Sequence, residues 1–148
     1  MSESEHLDKG DRTVEIQVTT IDRFVAEMGL SQLSIIKIDV EGFELNVLQG
    51  AEKLLERANA PIILLETHPV HSKRHFGSPK SVANYLAGLD FEIFVLNRNT
   101  KTPLCWRLTD ELAAKQEKLS LLYNLIAIKG DHPSYGKLRA RMETDASR

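Results

Sequence analysis

Two places in this 148-residue chain put ionisable side chains directly after strongly apolar runs. The first is Lys37-Ile38-Asp39-Val40-Glu41-Gly42-Phe43-Glu44, where carboxylates flank a glycine at the close of Leu33–Ile38. The second is Glu66-Thr67-His68-Pro69, at the close of Ile62-Ile63-Leu64-Leu65. A carboxylate in such a position can accept hydrogen bonds from an amine or hydroxyl, hold a cation, or take a proton from an attacking oxygen. Asp39 leads on this count, and Gly42 lets the backbone pass close to a neighbour. A second reading stands beside it: Asp39 and Glu41 cap the following helix, where free amides and the dipole favour negative charge.

The loop after Glu66 holds His68, His71 and His75. Their spacing matches no closed zinc pattern, and Lys73 and Arg74 would repel a dication, so no metal is expected. A solvated loop is the plain account, with His68 the member placed to face a crevice as a general base. Lys37, inside an apolar strand, reads as snorkelling or paired to a nearby acid. Cys105 beside Trp106 reads as packing and, as the one cysteine, has no internal disulfide partner.

Positioning these groups falls to alternating strands and helices. Val14–Val18 alternates apolar and polar residues at the period of a half-buried edge or hairpin strand. Thr19 to Asp22 reads as a capping box for a helix with Ile21, Phe24, Val25 and Met28 on one face, stopped by Gly29. Leu33–Ile38 and Ile62–Leu65 are apolar on both faces, as in strands covered by helices on either side. Between them Phe43, Val47, Leu48, Ala51, Leu54, Leu55 and Ala58 repeat at helical spacing, with Gly50 marking a bend or a close approach. Ser78 and Pro79 open a third helix through Leu89, Phe91–Leu96 is a strand, and residues 97–103 have turn composition. A helix from Thr109 or Asp110 to Leu119 and a strand over Leu121–Ile128 follow, and Tyr135–Arg148 reads as a frayed tail. The alternation predicts an open α/β sheet, whose ligands sit beyond the carboxyl ends of the strands.

Composition narrows the function classes. With 42% hydrophobic and 27% charged residues the chain reads as a folded domain, and a net charge of -2 offers no field for nucleic acid or an anionic membrane. Met1–Arg12 has no apolar stretch of a secretory signal and no run reaches spanning length, so a cytoplasmic location is expected.

Val18-Thr19-Thr20-Ile21-Asp22-Arg23-Phe24, then Ile35 through Ala51, then Ile62 to Glu66, resembles the FkbM methyltransferases in order and spacing. The run Lys37–Ala51 is the most specific part, and Tyr123-Asn124-Leu125-Ile126-Ala127 is similar to the family's closing strand. The resemblance implies a Rossmann-like class I methyltransferase sheet in three α/β/α layers. The part present corresponds to strands four to seven with flanking helices: a C-terminal half-domain over 14–130, between a disordered segment 1–13 and a tail 131–148. It implies transfer of a methyl group from S-adenosylmethionine to a hydroxyl of a small molecule, sugar or polyketide-like. Catalytic roles then fall to Asp39, Glu41 and His68, and cofactor contacts to Asp39, Gly42 and Glu66. Because strands one to three would precede Val14, one flank of the sheet is expected to lie unpaired, inviting a homodimer or a complementing N-terminal half chain. A truncated half inactive by itself, or a non-catalytic module docking through that edge, is the alternative.

Overall fold

The computed structural model describes residues 14–67, 79–97, 104–107 and 123–143. Among them, β1 (Ile35–Ile38), β2 (Ile62–Thr67), β3 (Phe91–Asn97), β4 (Leu104–Arg107) and β5 (Tyr123–Lys129) form one sheet in the order β1-β2-β5-β3-β4. Only β1 and β2 run parallel; the pairs β2 with β5, β5 with β3 and β3 with β4 are antiparallel. The helices are α1 (Ile21–Glu27), α2 (Glu44–Gln49), α3 (Glu52–Leu55), α4 (Pro79–Gly88) and α5 (Tyr135–Glu143).

Strand alternation sorts the side chains into two layers. Ile38, Ile63, Leu65, Ile93, Val95, Leu125 and Ala127 point to one face and make the main core with Leu48, Leu55, Val82 and Leu86 from α2, α3 and α4. Phe94 and Ile128 point to the other, where Tyr135 and Leu138 of α5 pack on them together with Ile62. Helices therefore lie on both faces of a mixed sheet, the partial Rossmann-like arrangement that the resemblance implies. No helix among the described residues is long and apolar enough to cross a membrane.

Several elements differ from the sequence reading. Residues 14–18 are extended but join no strand, and Ile16 and Val18 are 74% and 83% exposed. Their alternation has the period of a strand, but among the described residues no neighbour supplies the ladder. The long second helix is broken at Gly50 and Ala51 into α2 and α3. A Cβ on Gly50 would stand 3.3 Å from the Thr20 Cβ, so the glycine serves the close approach of the two segments. Of the expected apolar stripe, Leu48, Ala51, Leu54 and Leu55 are buried, but Phe43 at its start is 47% exposed and Glu44 faces inward instead. On α1, Phe24 and Met28 lie outward while Val25 is buried. Residues 135–143, read as part of a tail, form α5, anchored by the Tyr135 hydroxyl donating to Glu92 Oε1 at 2.6 Å. β4 is a strand that the sequence reading did not assign, following the stretch of turn composition over 97–103; the helix expected over 109–119 lies outside the described residues.

Candidate functional site

The parallel register of β1 and β2 sets the geometry. Ile35 lies beside Ile62 and Ile38 beside Leu65, so Asp39, just past β1, and Glu66, still within β2, follow at the same end of the pair. Alternation also puts them on one face, the face of Lys37 and Leu64. Lys37 Nζ donates to Asp39 Oδ2 at 3.1 Å, two residues along the same side of the strand. Both side chains of that pair are largely open to solvent, so it holds orientation more than it adds stability, about 0 to 1 kcal/mol. Glu66 is half-buried and sits opposite Asn124 of β5.

After Asp39 the chain reverses in a tight turn over Val40–Phe43. Phe43 N donates to Val40 O at 3.3 Å, and both central residues are left-handed, Glu41 at φ 50° and Gly42 at φ 108°. Two successive positive φ values define a primed turn, which favours glycine at the second central position. A left-handed conformation disfavours Glu41 by about 1 to 2 kcal/mol, so its backbone is held by its surroundings. The carboxylate of Glu44 supplies part of that hold. It is 1% exposed and accepts from Gly42 N at 2.9 Å.

Phe43 stands at the N-cap of α2 with no side-chain cap bond, and Glu44 is a carboxylate hydrogen-bonded to the turn before it. What calls for glycine at 42 is its left-handed backbone, φ 108°. Sequence reasoning missed Glu44, although its spacing with Leu48, Ala51 and Leu55 follows a buried helical face. The expected pairing of Lys37 with an acid is present. His68, His71 and His75 lie outside the described residues.

Asp22 is the second acid with a different job from the expected one. The α1 cap is Thr20, whose Oγ1 accepts from Arg23 N at 3.2 Å. Asp22 instead reaches across to α3, accepting from Lys53 N at 2.9 Å and Leu54 N at 3.0 Å, while its own N–H donates to Gly50 O at 2.9 Å. This clamp fixes the first turn of α1 against Gly50, at the end of α2, and the first turn of α3. Between residues 14–20 and the entry of α2 opens a groove of about 730 Å³, lined by Ile16, Val18, Val40, Phe43 and Val47 among others, next to the Glu41–Gly42 turn.

A strand-end rim carrying Asp39, Glu41 and Glu66 can attract a cationic ligand, accept hydrogen bonds from hydroxyls, and take up a proton. The model of the methyltransferase FkbM domain matches residues 1–93, well over half of the chain. The chain belongs to the FkbM methyltransferase family. The match takes in α1 through α4 with β1 and β2, and so the whole of the rim described above. No curated protein and no solved structure matches this FkbM methyltransferase domain. Its membership makes it a methyltransferase at the level of the family, whose members depend in general on S-adenosylmethionine.

Proposed function

We propose that this FkbM domain transfers a methyl group from S-adenosylmethionine to a hydroxyl of a small molecule, sugar or polyketide-like, at the rim formed by the ends of β1 and β2. The observation that carries the reading is the parallel register, in which Asp39 just past β1 and Glu66 near the end of β2 follow the paired Ile38 and Leu65 at the same end of the two strands. The donor set suits the cofactor, whose sulfonium and ammonium groups are cationic: Asp39, Glu41 and Glu66 are all acidic, and Lys37 offsets one of them. Asp39 and Glu66 would hold the cofactor, with Gly42 shaping the turn beneath it. When bound, the cofactor supplies an electrophilic methyl group.

The remaining work belongs to the chain. Asp39 or Glu41 takes the proton of the acceptor hydroxyl as its oxygen forms the new bond to carbon, and His68 is the alternative base. Methyl transfer is an in-line displacement, so most of the rate comes from holding the acceptor oxygen in line and excluding water. Titration calorimetry with S-adenosylmethionine, followed by transfer of a labelled methyl group to a panel of glycosides and hydroxylated ketides, tests the reading. Heat of binding and label in an ether product are expected; the absence of both rules it out. We place the activity in the cytoplasm.

A second reading draws on the flank beside β1, which among the described residues pairs only with β2 and exposes Ile35 at 56%. There the domain docks through that edge, on a second copy or on a chain bringing further strands. Sedimentation showing a concentration-dependent dimer, together with silence in the calorimeter, favours it over catalysis.

A further inference from the structure

Glu44 is a buried acid that the proposed chemistry does not use. A carboxylate removed from water is unfavourable unless its oxygens are hydrogen-bonded, so its place under the rim calls for a reason. Its Oε1 holds the amide of Gly42, the second of two left-handed residues, and the turn's own bond from Phe43 N to Val40 O is long at 3.3 Å. Glu41 is the residue just before Gly42, and Asp39 lies two residues before Glu41. Where these two carboxylates sit therefore depends on the turn keeping its left-handed pair.

We propose that Glu44 is a positioning residue: by clamping the Gly42 amide it holds the Glu41–Gly42 turn, and so fixes the carboxylates of Glu41 and Asp39 at the rim. The inference rests on the methyltransferase reading for the purpose of the rim, but the clamp itself is testable without it. The contribution is one of reach rather than of charge. Gln at 44 keeps an acceptor oxygen at the same distance from the backbone, whereas Asp keeps the charge and withdraws the acceptor by one methylene.

The experiment compares wild type, Glu44→Gln and Glu44→Asp. It measures amide hydrogen exchange at Gly42, the carboxyl carbon resonances of Asp39 and Glu41, the melting midpoint, and affinity for S-adenosylmethionine. In Glu44→Asp, Gly42 exchange is expected to rise roughly tenfold or more relative to the β2 amides. The Glu41 and Asp39 resonances shift, and cofactor affinity falls about tenfold. Glu44→Gln restores all three, even where its melting midpoint matches that of Glu44→Asp. Gly42 protection and Glu41 resonances unchanged in Glu44→Asp overturn the clamp. A freed Gly42 amide with undiminished affinity overturns its role in positioning. If wild type itself binds no cofactor, the methyltransferase reading fails, and the exchange and carboxyl data still decide for or against the clamp.

Discussion

Replacing Asp22 tests how the rim's supporting frame is held. The carboxylate accepts two backbone N–H groups from the first turn of α3, at 2.9 and 3.0 Å, from a distance of more than thirty residues. α3 spans only four residues, and Leu54 and Leu55 within it are buried against the core. A capping acceptor contributes about 0.5 to 2 kcal/mol, and hydrogen bonds to an ionised group lie toward the upper part of the range. Asp22 is half-buried and both of its oxygens are engaged, so Asp22→Ala is expected to destabilise by about 2 to 3 kcal/mol. Asp22→Asn keeps one acceptor oxygen and loses the charge, and should forfeit about 1 kcal/mol. At roughly 2 to 4 °C per kcal/mol for a chain of this size, the alanine variant melts about 4 to 12 °C lower. Urea denaturation gives the free energies, and hydrogen exchange at Lys53 and Leu54 gives the local readout. An alanine variant within about 0.5 kcal/mol of wild type, with those two amides still protected, would refute the reasoning.

The hydroxyl of Tyr85 is buried with no hydrogen-bond partner among the described residues, so Tyr85→Phe is expected to raise stability by about 1 kcal/mol in urea denaturation; a loss of that size would reveal a partner. Burial, with the charges of Glu52, Glu56 and Asp22, pushes the Tyr85 phenol above its ordinary 10.0, and the hydrogen bond to Glu92 does the same for Tyr135. Above that value the unfolded chain loses phenolic protons that the folded one keeps, so stability should fall as pH rises beyond about 10, less steeply in Tyr85→Phe. Lys129, buried at the end of β5, donates to Glu56 O at 3.2 Å and lies 5.4 Å from the centre of the Phe91 ring. Lys129→Met keeps the apolar stem but orphans that carbonyl, and a decrease of about 1 to 2 kcal/mol in calorimetry is expected. Asp39→Ala removes an exposed, solvent-screened pair, so it should melt within a degree or two of wild type while abolishing methyl transfer; a lowered melting temperature with transfer intact would return Asp39 to a structural role.

The parts of the fold legible in the sequence are those whose signal lies within one segment. Ile35–Ile38 and Ile62–Leu65 announce strands by their apolar character, although in β1 only Ile38 is buried, and Gly29, at φ 62°, ends α1 as its position implies. What the sequence conceals depends on partners distant along the chain. Asp22 has the spacing of a local capping residue, yet the free amides it meets belong to Lys53 and Leu54. The stripe of α2 reads as starting from Phe43 because an acid on the inward face contradicts the ordinary pattern; burial of Glu44 makes sense only with the Gly42 amide above it. α5 lacks a sustained apolar face and packs on the sheet through Tyr135 and Leu138, so nothing in its pattern separates it from a solvated tail. For the proposed site, the parallel register of β1 and β2, which the alternation of strands and helices implies, sets Asp39 and Glu66 toward the same end of the pair. The clamp beneath the rim does not follow from that alternation.

The flank of β1 bears on both readings of function. Native sheet edges are commonly blunted by lysines, prolines, bulges or a covering element. Three of the four residues of β1 are isoleucines, and its lysine is tied to Asp39 along the same strand. Beside it Ile16, Val18, Val40 and Phe43 leave apolar surface in water, a grouping better suited to contact than to solvent. A neighbour pairing with β1 would extend the sheet alongside Asp39 and raise a wall on the open side of the rim. Pairing that flank and enclosing the acids are therefore one structural event, whichever chain supplies the neighbour. The proposed catalysis and the proposed docking through β1 would then share a surface, and they part on whether the neighbour also brings groups that hold a cofactor.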